Sequence, residues 1–443
     1  MRFQVSKFFG ETSLTERITR EFIGLLFERI LRLGVGFYVL SSVARYLGSD
    51  KFGELSFGLA LGSIGAGVAT VGTDALIVRE SVRQPTGVPA ILGTVTALRT
   101  LVAIVLSFGL VLILWASGVD SHKILVMMVL FSTTFSAVTA VPTVWFQSQS
   151  LGRLPSWASF GVFVVASILR LYLVETKAPL LAFAWVVLVE LSAVGIVTGW
   201  MLEGYRVGVG TWRTSKQVLV AVLRESWPLW ISGIAIVVYM RIDQIILRIL
   251  AGSKEIGIYS AALRISEQGY LLPMTLSTPL LTALVACERD TTPQTQLMRR
   301  YFSVSVVAAY AYILAIWIAA PPLYQIFFGP EYHESIKVIK IHVLGAPFVF
   351  IGVARTQVLI TWGMMRFAMW STIVGAVVNL SLNLFLAARF GAMGAAWSSV
   401  GAQVVAAWLS SWVYRPTRQL AREQTAALLM PWSAFLSRTH QYE

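Results

Sequence analysis

Eight arginines stand inside stretches that are otherwise apolar: Arg29, Arg32, Arg99, Arg170, Arg241, Arg248, Arg264 and Arg355. The same stretches hold the carboxylates Glu28, Asp74, Glu190, Asp243 and Glu267. A guanidinium stays protonated and grips phosphate or carboxylate through paired N–H bonds. An excess of guanidinium over carboxylate therefore suits an anionic ligand, whereas a site for organic cations should be acidic. The stretch YMRIDQIILRIL (239–250) concentrates the question, with Arg241, Asp243 and Arg248 in one apolar run. A charge at mid-bilayer costs about 2.5–3.5 kcal/mol unless it meets a partner or a watery cavity.

Spacing suggests which charges meet. At 1.5 Å per residue, Arg241 lies roughly 13 Å below the outer end of its helix, and Arg264 roughly 12 Å down the next. Glu267 follows Arg264 at i+3 on the same face. Arg241, Asp243, Arg264 and Glu267 are thus expected at one depth, as a charged lattice facing a central cavity. Arg32 lies roughly 15 Å in, and Glu28 is its i,i+4 partner, which leaves Arg29 without a local one. Arg99 has no acid in its own helix; Glu190 is a candidate partner, or a proton-titrating group. Asp74 is expected to pair with Arg79 near the inner surface. Arg170, Arg248 and Arg355 lie near helix ends, where snorkelling accounts for them. Glu28, Glu190, Asp243 and Glu267 are the candidates for coupling to Na⁺ or H⁺.

These residues must be positioned by membrane helices. The chain of 443 residues is 56% hydrophobic and 13% charged, with mean hydropathy +0.72; soluble domains carry about 25% charged residues. Apolar runs near bilayer-spanning length recur throughout, too long and unalternating for the strands of a membrane barrel. Spans are expected at 22–47, 55–78, 90–116, 123–146, 156–175, 179–201, 227–250, 256–286, 302–328, 338–361, 367–388 and 392–414. The fold class is all-α integral membrane, about twelve transmembrane helices in two six-helix bundles. Residues 1–21 are expected as a cytoplasmic segment without a cleavable signal peptide, 22–201 as one lobe, 202–226 as a basic cytoplasmic linker, 227–414 as the second lobe and 415–443 as a cytoplasmic tail.

The net charge of +13 reads as the positive-inside rule and not as a nucleic-acid surface. Segments on the inner side of this topology carry more than twice the Lys and Arg of the outer ones, which sets both termini inside. Cys287, the single cysteine, excludes an intramolecular disulfide framework. The four histidines (His122, His333, His342 and His440) have no metal-site spacing, and no phosphate loop, nucleophile elbow or cysteine cluster is present. An enzyme with catalytic groups on a large external loop is disfavoured because no such loop exists.

The halves are related. ARYLGSDKFGELSFGLALGS (44–63) aligns with LRILAGSKEIGIYSAALRIS (247–266), pairing Arg45 with Arg248, Lys51 with Lys254, Phe52 with Ile256, Gly53 with Gly257 and Ser56 with Ser260. Both segments join the first two spans of a half, so the repeats run parallel about an axis along the membrane normal, with a substrate site expected at their interface. Gly58, Gly62, Gly65 and Gly67, and the turn at Gly391, Gly394, Ala395 and Ala396, permit close helix packing.

ARYLGSDKFGELSF, RIDQIILRILAGSKEIGIYSAALRISE and NLSLNLFLAARFGAMGAAW (379–397) resemble the Wzx-type polysaccharide-transport (O-antigen and exopolysaccharide) flippases. That family shares a superfamily with the lipid II flippases and the MATE exporters. The resemblance implies a V-shaped alternating-access transporter in the bacterial inner membrane. It would carry undecaprenyl-diphosphate-linked oligosaccharide from the cytoplasmic to the outer leaflet, without being an enzyme. Membrane lipids and, beyond them, polysaccharide polymerase or assembly proteins are the implied partners. Lipid II flippases carry first-helix arginines and an Arg-x-x-Glu pair in the eighth helix, positions matched by Arg29 or Arg32 and by Arg264/Glu267. Arg29, Arg32, Arg99, Arg241, Asp243, Arg264 and Glu267 are accordingly the expected substrate ligands. Tyr239, Tyr259, Tyr270, Trp145 and Trp362 are candidates to stack on sugars, against the commoner role of packing. The chain has twelve expected spans against fourteen in the lipid II flippases. A MATE-like exporter of organic cations, driven by Na⁺ or H⁺, is the competing reading.

Overall fold

The computed structural model describes residues 14–118, 120–205, 207–285 and 292–432. Its elements are helices throughout, and twelve spans can be followed among the described residues. Spans 1 and 2 are 14–47 and 49–69, one continuous helical run broken at Gly48. Span 3 is Val88–Ala116, span 4 covers 121–148, span 5 is Arg153–Glu175 and span 6 is Leu180–Met201. Span 7 is Lys216–Ala251, span 8 covers 253–285, span 9 covers 292–328 and span 10 covers 333–361. Spans 11 and 12 cover 365–390 and 392–413 and are broken at Gly391. Eight stretches are long and apolar enough to cross a membrane, two of them each holding a pair of spans. The charged spans 7 and 8 complete the set. The protein is a multi-pass membrane protein of two six-helix bundles.

The break at Gly391 is a full reversal. A Cβ on Gly394 would lie 2.0 Å from the Leu386 carbonyl oxygen, whereas eight residues of straight helix span roughly 12 Å. Gly401 meets Leu382, and Gly375 meets Ala406, so the two arms run antiparallel.

Several expected boundaries move; span 1 begins by 14 and span 9 by 292, earlier than the expected 22 and 302. Span 2 ends at Ala69 and not near 78, because Val71 and Gly72 take positive φ (50° and 63°) and turn the chain. The polar short helix Asp74–Arg83 follows. Span 7 begins at Lys216, so much of the expected linker is helix, started by the Ser215 hydroxyl accepting from the Val218 N–H.

The repeat is built into the packing. Gly48 (φ 71°, ψ 171°) and Gly252 (φ 93°, ψ −177°) share one backbone conformation, which needs glycine. A Cβ on Gly53 would lie 1.8 Å from the Ser253 carbonyl oxygen, and one on Gly257 would lie 2.0 Å from that of Ser49. The contacts are reciprocal, as a two-fold axis between the hairpin tips requires. From Gly48 onward the register is therefore constant: Ser49 corresponds to Ser253, and Lys51 to Glu255 instead of Lys254. The extra residue of the second half lies before the turn.

Candidate functional site

The two bundles meet along spans 1 and 2 of the first and 7 and 8 of the second. On the side of the two hairpin tips they are tightly closed. Besides the glycine contacts, Glu331 Oε2 accepts from the Ser49 N–H (2.9 Å) and hydroxyl (3.3 Å), placing a carboxylate at the N-terminus of span 2. The Tyr332 hydroxyl donates to the Ala44 carbonyl (2.9 Å), and Phe37 packs edge-on against Phe327 at 5.2 Å between ring centroids. Arg248 crosses the seam to lie over the Phe57 ring, 5.9 Å from its centroid. Further along, Gly67 meets Val237, and Trp230 Nε1 donates to the Val68 carbonyl (2.7 Å).

Midway, charges from both bundles converge. Arg241 Nη1 on span 7 lies 3.5 Å from Glu267 Oε2 on span 8. Arg264, one helical turn before Glu267, interacts electrostatically with Arg241, with Glu267 and with Arg170 of the other bundle. Arg170 on span 5 is itself paired with Glu190 on span 6, both about four-fifths buried. The grouping thus holds Arg170, Arg241 and Arg264 with Glu190 and Glu267, and Asp243 lies within electrostatic reach of Arg241 and Glu267. Arg32 of span 1 stands toward the other end of span 5, over the rings of Phe160 (5.7 Å) and Phe163 (5.1 Å). The side chains of Glu28 and Arg29 lie outside the described residues.

Several expectations change here. Asp243 stays within electrostatic reach of Arg241 and Glu267 but makes no direct pair with Arg241: it is 3% exposed and turned into the second bundle. There it accepts from the Tyr259 hydroxyl, the Gln244 N–H (2.8 Å) and the Ser399 hydroxyl (3.4 Å). Residues two apart on a helix point in nearly opposite directions, so Arg241 and Asp243 cannot share a face. Arg99 is fully buried and its partner is Asp74, at 2.5 Å, not Glu190. Its other donors reach Thr73 Oγ1 (2.6 and 3.0 Å) and the Ala137 carbonyl (2.7 Å), so it ties spans 3 and 4 to the turn after span 2 and faces no cavity. Arg79 pairs with Glu80 and Glu225 instead of Asp74. Arg355 is not a snorkelling residue; it is buried, donating to Ser371 Oγ (2.8 Å) and the Ala406 carbonyl. Tyr259, Trp145 and Trp362 are buried in packing and offer no platform to a sugar.

Sequence reasoning missed Arg170 as a member of the central group. Its partner Glu190 is on another helix and Arg264 in another bundle, so no local spacing signals either. Tyr259 and Ser399 around Asp243 were likewise missed.

The comparisons with known proteins agree with this geometry. The family model described as polysaccharide biosynthesis protein matches residues 18–285, more than half of the chain, and the MatE model matches residues 228–385. A Shigella dysenteriae protein provisionally named an O-antigen transporter is 25% identical over 232 residues, covering 51% of this chain and 57% of that protein. Among solved structures, an inward-facing multidrug-resistance MATE family transporter of the MOP superfamily superposes with TM-score 0.70 at 14% identity, over 88% of this chain and 95% of its own. The lipid II flippase MurJ, in an inward closed conformation, superposes with TM-score 0.67 at 13% identity, over 95% of this chain and 93% of its own. Helix order, the paired bundles and the matched motifs thus lead to one assignment: the chain belongs to the polysaccharide biosynthesis protein family and shares its twelve-helix fold with these transporters.

Proposed function

We propose that this protein is a flippase for undecaprenyl-diphosphate-linked oligosaccharide, carrying it from the cytoplasmic to the outer leaflet of the bacterial inner membrane, with both termini cytoplasmic. The observation that carries the reading is the convergence of three guanidinium groups, Arg170, Arg241 and Arg264, from both bundles, beside the carboxylates Glu190, Glu267 and Asp243. A diphosphate fits such a site because planar guanidinium groups bind its oxygens bidentately. The uncharged polyprenyl tail needs no partner there and stays in the lipid. With the hairpin tips outside, the described state is closed to the outside, and the seam through Ser49, Gly53, Ser253, Gly257 and Glu331 is what outward opening must break. The O-antigen name of the matched relative and the lipid II flippase among the neighbours support the substrate class.

Coupling to Na⁺ or H⁺ is assigned in this proposal to Asp243, which among the described candidate acids is the one held by hydroxyls within a bundle. Replacing it with Asn should remove dependence on the driving ion gradient while leaving slow exchange intact; gradient-dependent flipping by that variant would sink the assignment.

The test of the function is a proteoliposome assay with a fluorescent undecaprenyl-diphosphate oligosaccharide, comparing wild type with Arg264→Ala and Arg241→Ala. Flipping by wild type, reduced at least about tenfold in both variants when folding is normal, supports the proposal; a tenfold loss corresponds to about 1.4 kcal/mol, the scale of one charge-assisted bond. Absent flipping with active transport of organic cations would instead favour a MATE-like exporter.

A further inference from the structure

Span 7 shows the first bundle a single stripe that continues outward past the charge grouping. Trp230, Val237, Arg241 and Arg248 are seven, four and seven residues apart, which at 100° per residue sets them on one face. Three of them meet span 2. Trp230 Nε1 donates to the Val68 carbonyl (2.7 Å), a Cβ on Gly67 would lie 2.9 Å from Val237 Cγ2, and the Arg248 guanidinium lies over the Phe57 ring at 5.9 Å. Asp243, Ile246 and Leu247 point away from this stripe and are buried. Arg248 is therefore the next cation on the face that carries Arg241, roughly 10 Å further out and roughly 5 Å short of the outer end of the span. Arg45, its match in the first half, crosses the seam in the opposite sense, with Nη1 3.4 Å from the Ile326 carbonyl of span 9. The groups that meet these two guanidiniums across the seam, a ring and a carbonyl, are neutral and belong to the opposite bundle.

We propose that Arg248 is an exit ligand for the substrate's diphosphate, held over Phe57 while the hairpin tips are closed and released from it when they part; this rests on the flippase reading above. When the seam opens, Phe57 leaves with the first bundle and Arg248 stays on span 7. A guanidinium at the membrane edge that has lost its ring takes an anion instead, and phosphate oxygens bind it more strongly than a ring face does. Its depth is that of the outer headgroups, where the diphosphate of a lipid-linked glycan comes to rest. Arg241 and Arg248 thus mark the two ends of one outward step along a single helix face. Because the site forms only with the tips apart, its ligand favours the open state by the difference in its affinity for the two states. The leaving diphosphate so holds the exit open until it passes into the leaflet.

The test uses the full chain in vesicles with the hairpin side outward, spin-labelled on spans 2 and 8, with inorganic pyrophosphate added outside at matched ionic strength. Wild type should move toward long distances, its open-to-closed ratio rising at least about threefold. Phe57→Leu removes the ring and Arg248→Gln the cation, so both should start more open than wild type. They differ in the response: Phe57→Leu should keep the wild-type rise, and Arg248→Gln should stay within about 1.5-fold of its own start. Losing a charge eases insertion of a span, so Arg248→Gln is expected to fold. Arg248→Lys keeps a cation and should recover at least about half of the lost response; no recovery would overturn the inference. In flipping kinetics, Arg248→Gln should lower kcat about 3- to 10-fold with KM for inner-side substrate within about twofold, because entry is untouched. No response in wild type would overturn the inference, as would an unchanged kcat in Arg248→Gln. A response retained in Arg248→Gln would belong to the central group, and equal loss in Phe57→Leu and Arg248→Gln would make the two residues a seal; either would overturn it. Wild type that opens with pyrophosphate in this pattern but flips no lipid-linked glycan would overturn the flippase reading and leave the outer diphosphate site standing.

Discussion

Arginine in this protein has two different employments, and burial separates them. Arg99 and Arg355 are fixed by neutral oxygens of their own bundles, with Asp74 added in the first case. Arg170, Arg241 and Arg264 are partly accessible and lie where the bundles face one another. The two groups should respond differently to substitution. Arg99→Ala leaves the Ala137 carbonyl and Thr73 without their donor, and breaking such a buried network costs about 3–5 kcal/mol. A lower unfolding temperature in detergent is expected, with turnover per folded molecule within about twofold of wild type. Arg99→Lys should recover only part of the loss, because an ammonium cannot fork across three acceptors. For the Arg241–Glu267 pair the outcome is reversed. Arg241→Glu should lower insertion and flipping, since it leaves two carboxylates together in the membrane at a cost of about 2.5–3.5 kcal/mol. Adding Glu267→Arg should restore insertion to near wild type, measured as folded protein per cell. A double variant no better folded than the single would show that the pair does not act as a unit.

Among the elements, the hairpin tips are the most tightly specified. Gly48 and Gly252 take a conformation that side chains resist, and Gly53 and Gly257 each face a backbone oxygen that cannot rotate away. Gly53→Val therefore cannot be absorbed by a side-chain adjustment; the tips must part. Overpacking of this kind costs about 1–3 kcal/mol, which shifts the ratio of open to closed hairpin sides by roughly 5- to 150-fold toward open. Distances between spin labels on spans 2 and 8 should lengthen on that side, and flipping should slow because the closed state becomes rare. Glu331→Gln removes the carboxylate from the N-terminus of span 2 while keeping its shape, and should move the same distances less far, by about 1 kcal/mol or below. Unchanged distances in Gly53→Val would show that the seam does not set the conformational balance.

At the scale of the whole molecule, a charged site shared between two bundles can pass its ligand across only if the seals on either side open alternately. The hairpin-side seal is shut here by residues of both halves, including Phe37 against Phe327. Cysteines at those two positions, with Cys287 replaced by serine, should join through a short thiol cross-linker. Flipping is then expected to fall at least about tenfold, to recover on cleavage of the linker, and to leave pyrophosphate binding unchanged. Undiminished flipping in the cross-linked protein would rule out a cycle that opens this side.

Hydropathy alone determined that the chain crosses a membrane many times, because a bilayer imposes span length directly on sequence. The positions of the arginines determined that charge lies within those spans, and Arg264 and Glu267 share a face by the geometry of one helix. The shared run around two hairpins, with Arg45 matching Arg248 and Gly53 matching Gly257, pointed to the duplication, while its register through Gly48 and Gly252 was set by the turn conformation. Which charges meet was decided by tertiary structure: Arg99 with Asp74, Arg170 with Glu190 and Arg264, and Asp243 with Tyr259. These partners sit on different helices or different bundles, and periodicity within one helix holds no information about the rotation of its neighbours. For the same reason the end of span 2 at Ala69 came from the fold, where a turn and a buried arginine outweigh an apolar run that reads on to residue 78.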